Sequence, residues 1–362
     1  PERQLRYDRQ KSSRGRYARI SEQSHIVNGN TERLTTAPQA LQLIPGHKLM
    51  TSQPLNKDNV SQELKKGKER LSASTIKDLI LSKVTLIRHD DCVFAYNGKT
   101  YEAINNTKDL VSVVVNKVDS TMFNLSSTHI FESVLTLLQV KEDLTPKDYE
   151  KRIAASSDII AFKNTLLNIR TLETIPFNPW YLTFFELDAV YLEDPSPDVY
   201  LEFLETVSPD KSVRDRISDL IAYLLSGKNC AKQFYVMGTA PDSGKSTIAK
   251  FIQHVLGPKN VFNVATHEFN DRFAFGGGKN KLLNTAMDLP AGKLPTDVVS
   301  TLKNISGSDY IMHQDKFKDK QFSVLGLRIL LGTNHGIKVN SADNNDAFWD
   351  RLEIIPFCHS IS

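Results

Sequence analysis

The sequence predicts an α/β fold: a C-terminal domain on a mainly parallel sheet, preceded by a mixed, mainly helical domain with a β-hairpin. Three observations predict it. From Gln233 onward, short apolar strand-like runs alternate with helical patterns, as in βαβ units. One such run, Phe234-Tyr-Val-Met, leads into Gly238-Thr239-Ala240-Pro241-Asp242-Ser243-Gly244-Lys245-Ser246-Thr247. That loop in turn opens a helix bearing Ile248, Ala249, Phe251, Ile252, Val255 and Leu256.

Apolar residues make up 40% of the 362-residue chain and charged residues 24%, the balance of an ordinary globular protein. No apolar run reaches the roughly 18 residues of a transmembrane helix, so no membrane partner is expected. The Arg-rich start lacks the apolar core of a secretory signal. Cys92, Cys230 and Cys358 are too widely spaced for a zinc site or a disulfide framework. That suits a reducing compartment, and a cytoplasmic location is expected.

Residues 1–70 hold 14 Lys/Arg against 7 Asp/Glu, whereas the remainder holds 31 against 35. A basic arm on a nearly neutral body suits contact with nucleic acid, and a solvated linker has the same composition. Pro38, Pro45 and Pro54 break this stretch, so residues 1–74 read as a basic arm or linker. Residues 75–204 form the mainly helical domain. It starts with a short helix capped by Ser74 or Thr75. Strands at Val84-Thr-Leu-Ile-Arg and Cys92-Val-Phe-Ala-Tyr follow, then an Asn97-Gly98 hairpin and Tyr101-Glu-Ala-Ile. Helices are expected over about 107–118, 127–141 and 146–170, then 197–206 and 210–226. Residues 205–362 form the α/β domain.

The loop at 238–247 has the composition of a phosphate-binding P-loop between strand and helix. In that reading its N–H groups face phosphates, Lys245 reaches the β- and γ-phosphates, and Ser246 ligates Mg²⁺. ATP and Mg²⁺ are the cofactors this implies. The usual first Gly position holds Thr239, with Gly238 one residue earlier. Such a site needs an acid on a neighbouring strand. Asp288, ending Lys281-Leu-Leu-Asn-Thr-Ala-Met-Asp, is the candidate, with a strand-ending turn as the alternative. Asn334, ending Arg328-Ile-Leu-Leu-Gly-Thr-Asn, either contacts the γ-phosphate or starts a turn with His335-Gly336. Arg351 is either a finger that completes a neighbouring subunit's site or a surface partner of Asp350 or Glu353. Two β-prone runs flank a tip with Lys316, Phe317, Lys318 and Lys320, suited to a nucleic-acid backbone or to an ordinary solvated turn.

The order of these motifs is more specific than any one of them. P-loop, acidic strand, Lys303-x-x-Ser-Gly-x-Asp309 with a downstream Lys, Gly332-Thr-Asn334 and Phe348-Trp-Asp-Arg-Leu-x-Ile-Ile-Pro-Phe357 follow in sequence. This resembles the superfamily 3 helicases, in particular the poxvirus-type and phage/plasmid primase–helicases. The resemblance covers about 75–357, most fully 205–357. It includes the Tyr96-Asn-Gly-Lys-Thr-Tyr101 hairpin of the preceding domain.

The resemblance implies an AAA+-type P-loop ATPase that assembles into a ring, usually a hexamer, around single-stranded DNA and unwinds duplex DNA. It implies a nucleotide-binding pair in Lys245 and Ser246, a Walker B acid in Asp288, a sensor in Asn334, a DNA-contacting lysine in Lys316 and an arginine finger in Arg351. A primase domain or protein is an expected partner, and a phage or mobile-element origin places the chain in a bacterial host cytoplasm. The sequence departs from the family at Thr239, at Met287 where a second acid is common, and at Asp350 where an arginine is common. A protein-remodelling AAA+ machine and a nucleotide-binding scaffold with little turnover are the rival readings.

Overall fold

The N-terminal part is built from short elements that local side-chain bonds start and stop. The computed structural model describes residues 72–89, 92–117, 128–140, 144–271, 273–278, 281–314 and 320–361. They lie in one compact unit that begins at Leu55. The basic arm expected over residues 1–74 falls almost wholly outside the described residues.

Helix α1 (Ala73–Lys83) is capped by Ser72, whose hydroxyl accepts from the Thr75 N–H at 3.1 Å. The cap thus sits two residues before Ser74, because Ser72 is the residue with extended backbone beside the first turn. Strands β1 (Leu86–His89), β2 (Cys92–Tyr96) and β3 (Tyr101–Ile104) pair antiparallel. The Asn97 carboxamide oxygen accepts from the N–H groups of Lys99 and Thr100 and folds the turn, with Gly98 at φ +113°. Helices α2 (Thr107–Lys117) and α3 (Thr128–Gln139) close a core with α1 around Ile80, Leu110, Val114, Phe131, Val134 and Leu138.

The long helix expected over 146–170 is not formed. Helix α4 (Tyr149–Ser156) is followed by β4 (Ile159–Ala161), β5 (Leu166–Asn168) and β6 (Thr174–Ile175), an antiparallel sheet. Side-chain bonds compete with the helix here: Asn168 Oδ1 accepts from the N–H groups of Arg170 and Thr171 and turns the chain. Ile159, Ile160 and Ala161 are all buried, which suits a strand covered on both faces. Helices α5 (Asp198–Val207) and α6 (Lys211–Leu225) follow, the latter capped by Asp210.

The α/β region runs β7 (Phe234–Thr239), α7 (Lys245–Leu256), β8 (Val261–Phe262), β9 (Leu283–Ala286), β10 (Lys293–Leu294) and α8 (Thr296–Gly307). It continues with β11 (Tyr310–Gln314), β12 (Lys320–Val324), β13 (Arg328–Gly332), β14 (Lys338–Val339), α9 (Asp346–Trp349) and β15 (Leu352–Phe357). Five strands form one sheet in the order β15-β7-β13-β9-β8, with every neighbouring pair parallel. β11 and β12 form a separate antiparallel hairpin, and β10 pairs with β14.

Alternation along the strands feeds two cores. Tyr235, Met237 and Leu330 face α6 and α7, with Ile217, Leu224, Ile248 and Ile252. Phe234, Val236, Ile329 and Leu331 face α8, with Val299, Leu302 and Phe348. Each such side chain contributes roughly 1.5–3 kcal/mol by leaving water. The first core also takes in Ile160, Leu187, Leu204 and Val207, so it extends N-terminally of residue 205.

Arg328, at the start of β13, is only 1% exposed. Its guanidinium donates to the carbonyls of Leu282, Tyr223 and Lys228, joining α6 to the sheet, and burial pushes its pKa down to about 10.

At the other end of β13, a Cβ on Gly332 would stand 2.8 Å from the Met287 carbonyl oxygen. Gly332→Ala is therefore expected to part β13 from β9 and to cost about 1–3 kcal/mol. A lowered urea midpoint in equilibrium unfolding checks this; an unchanged midpoint contradicts it.

Candidate functional site

β7 sits at a point where the chain's connections diverge. Both sheet neighbours, β13 and β15, come later in sequence, while α7 carries the chain away toward β8 at the far edge. Ligands of open α/β sheets bind outside the C-terminal strand ends at such points, and the loop Ala240–Gly244 lies there. Packing explains the glycine at 238. A Cβ on Gly238 would meet the Thr333 methyl at 2.9 Å and its carbonyl oxygen at 3.2 Å, whereas Thr239 is exposed at the strand end. Gly238 thus serves the approach of β13.

The loop's shape is fixed from outside as well as within. Asp242 and Gly244 have φ of +47° and +85°. The Ala240 N–H donates to the Phe357 carbonyl and the Ile361 N–H to the Asp242 carbonyl, both at 2.7 Å. A Cβ on Gly244 would meet Val207 at 3.0 Å and Ile361 at 3.1 Å. The first intrahelical bond of α7 runs from Ile248 to Gly244. The N–H groups of Lys245, Ser246 and Thr247 therefore have no helical acceptor, and Gly244 has no side chain to cap them. Free amides and the positive end of a helix dipole suit phosphate oxygens.

Lys245 is 7% exposed; its ammonium donates to Ser243 Oγ at 3.0 Å and to the Ala240 carbonyl. The Ser243 hydroxyl donates to the same carbonyl at 2.7 Å. Burial holds the Lys245 pKa below the usual lysine range, and the Asp242 charge partly opposes this. Ser246 and Thr247 are exposed on the first turn. A Mg²⁺ ion bound with phosphates needs few protein ligands; an exposed hydroxyl and a nearby carboxylate have the right chemistry.

The strand register brings Asp288 and Asn334 to the same edge. Ala286 is level with Leu331, and Gly332 with Met237, so Asp288 and Asn334 each follow their strand by two residues at the edge that carries the loop. Both are exposed. Met287 packs its sulfur against Gly332, so that position serves packing. Arg351 lies elsewhere. Its carbonyl accepts from the Phe234 N–H at the start of β7, the opposite end of the strand from the loop. β7 spans roughly 17 Å, more than an extended arginine covers. Arg351 donates to the Ala347 carbonyl at 2.7 Å, and its Nε is buried without a partner. It forms no ion pair with Asp350 or Glu353 among the described residues; Glu353 pairs with Arg216. Lys316, Phe317 and Lys318 lie outside the described residues, and Lys320 is placed only by its backbone pairing with Gln314.

Sequence reading missed two parts of this edge. One is the clasp of α5 and the segment after β15 around the loop. The other is a polar pocket beyond Asp288, lined by Gln253, Asn263, Thr266 and Thr285 among others. The signal for it was the pair Asn284-Thr285 inside an otherwise apolar strand.

Residues 236–351 match the model of a family of unknown function, DUF5906. The chain is also 27% identical over 163 residues to "Putative helicase L207/L206" of Acanthamoeba polyphaga mimivirus. That match covers 43% of the chain and 16% of the viral protein, a distant relationship to one part of a helicase-described protein. Among solved structures, the apo C-terminal region of NrS-1 is similar at 12% identity and a TM-score of 0.48, covering 81% of this chain and 63% of that one. A JCV helicase is similar at 16% identity and a TM-score of 0.33, covering 64% and 59%. Among the described residues no helix is long and apolar enough to cross a membrane.

Gly244→Val places a branched side chain at φ +85° against Val207 and Ile361. Affinity for a nucleoside triphosphate, measured by calorimetry, is expected to fall at least tenfold. Unchanged affinity would show that the loop does not hold the ligand in this shape.

Proposed function

We propose that this chain is an ATP-dependent DNA helicase of the AAA+ superfamily 3 type, a ring-forming motor that translocates on one strand and separates the duplex. The observation that supports it is the sheet edge: Lys245 and Ser246 open the helix after β7, and Asp288 and Asn334 follow β9 and β13 at the same C-terminal edge. The helicase-described viral relative supports the same class.

In this reading the amides of the first turn of α7 hold the β- and γ-phosphates, and Lys245 turns from the loop carbonyl to them. Ser246 and Asp288 would hold Mg²⁺, which when bound would neutralise charge at the phosphates. Asp288 orients the attacking water and takes its proton as oxygen bonds to the γ-phosphorus. The bond to the bridging oxygen then breaks, giving ADP and phosphate. Asn334 contacts the γ-phosphate and reports its loss.

Arg351 belongs to a neighbouring subunit's site, which its distance from its own loop supports. Hydrolysis is then tied to assembly, with a hexamer as the expected ring. Lys316, Phe317 and Lys318, which lie between β11 and β12 in sequence, and Lys320 at the start of β12 grip single-stranded DNA in the channel. A primase is the expected functional partner, and the host cytoplasm the site of action.

Two variants test this reading by phosphate release and strand separation. Lys245→Ala is expected to lose nucleotide turnover and all unwinding. Lys316→Ala is expected to keep basal turnover while losing stimulation by single-stranded DNA. Full strand separation by the Lys245→Ala protein contradicts the proposal.

A further inference from the structure

The run Ser306-Gly307-Ser308-Asp309 closes α8 and has no part in the nucleotide loop. Its geometry gives it another place. Ser308 takes the left-handed conformation, with φ +58°. The Ser308 N–H donates to the Ile305 carbonyl and the Asp309 N–H to the Asn304 carbonyl at 2.9 Å, which stops the helix. The chain then enters β11 at Tyr310.

Gly307 is helical, so its backbone does not require glycine. Its surroundings do. A Cβ there would stand 2.8 Å from Asp309 Oδ2 and 3.7 Å from Arg351 Nη2. The carboxylate and the guanidinium thus share the space that glycine leaves open.

Packing brings Arg351 to this point. Phe348 of α9 lies in one core with Val299, Leu302 and Ile305 of α8, which locks the two helices together. Arg351 Nη1 donates to the Ala347 carbonyl, and Nε is buried without a partner. Nη2 is the nitrogen turned to Gly307 and Asp309. A cation is favoured at the C-terminal end of a helix. A guanidinium is also a rigid fork, so its acceptors decide where its remaining N–H groups point.

We propose that Asp309 is a positioning residue for Arg351. Its carboxylate accepts from Nη2, while the Ala347 carbonyl accepts from Nη1. Each of these nitrogens carries a second N–H, and the pair so aimed is left for the γ-phosphate of the neighbouring subunit's site. Gly307 makes room for the contact. Asp309 also directly precedes β11, so a shift of the β11–β12 hairpin on single-stranded DNA moves the acid that aims the arginine. DNA then sets the geometry of hydrolysis next door. This inference rests on the reading of Arg351 as part of a neighbour's site.

The test is steady-state ATP hydrolysis with saturating single-stranded DNA on the full chain, beside Arg351→Ala. Asp309→Ala and Gly307→Ala are each expected to lower kcat at least tenfold while KM for ATP stays within twofold. Alanine is the better helix former, so Gly307→Ala is expected to keep or raise the thermal midpoint as it loses turnover. A merely structural role would not give that split. Mixing adds a second readout. Asp309→Ala is expected to regain turnover when mixed with Lys245→Ala, and none when mixed with Arg351→Ala, because both of the latter defects lie on the same side of the shared site. A kcat within twofold of wild type for Asp309→Ala, with Arg351→Ala inactive, overturns the positioning role and leaves the shared site standing. Recovery on mixing Asp309→Ala with Arg351→Ala overturns it too. Wild-type turnover by Arg351→Ala removes the shared-site reading, and this role with it.

Discussion

The close approach of β7, β13 and β9 at their C-terminal ends is the constraint on which the rest of the site depends. It is set by two glycines. Gly238 lies against Thr333, and Gly332 against the backbone of Met287, with no room for a Cβ at either. Because those strand ends are drawn together, the residues just beyond them share one small region. Lys245 and Ser246 follow β7, Asp288 follows β9, and Asn334 follows β13. The sheet interior, apolar on both faces, makes that edge rigid.

The loop Ala240–Gly244 is not held by the sheet alone. Backbone bonds from Phe357 and Ile361, together with Val207 on the outside of Gly244, brace it from both sides. Residues before β7 and residues after β15 therefore bear on the shape of this loop.

Much of the edge was legible in the sequence because parallel buried strands read as apolar runs. The strand at Cys92–Tyr96 and the helix that follows the loop stand where periodicity puts them. The 146–170 stretch misled because Ile153, Ile160, Leu166 and Leu167 mimic helical spacing. Local bonding by Asn168 decided otherwise. The glycine displaced from 239 to 238 was visible but uninterpretable without knowing that Thr333 lies opposite. The hydrogen-bonded ring of Gln253, Asn263 and Thr285 in the polar pocket was invisible, because its members come from three segments and no spacing links them. Arg328 looked like an ordinary strand start, although its burial against helix carbonyls depends on where α6 ends.

The separation of Lys245 and Arg351 on opposite ends of β7 gives the proposed motor its most exposed claim: each nucleotide site is built from two subunits. Mixing tests it most directly. Lys245→Ala and Arg351→Ala proteins are each assayed alone and then combined for DNA-stimulated ATP hydrolysis. If sites are composite, each variant alone is inactive and the mixture regains turnover, from pairs in which an intact Lys245 meets an intact Arg351. An Arg351→Ala protein as active as wild type, or a mixture that coassembles without any gain, would contradict it.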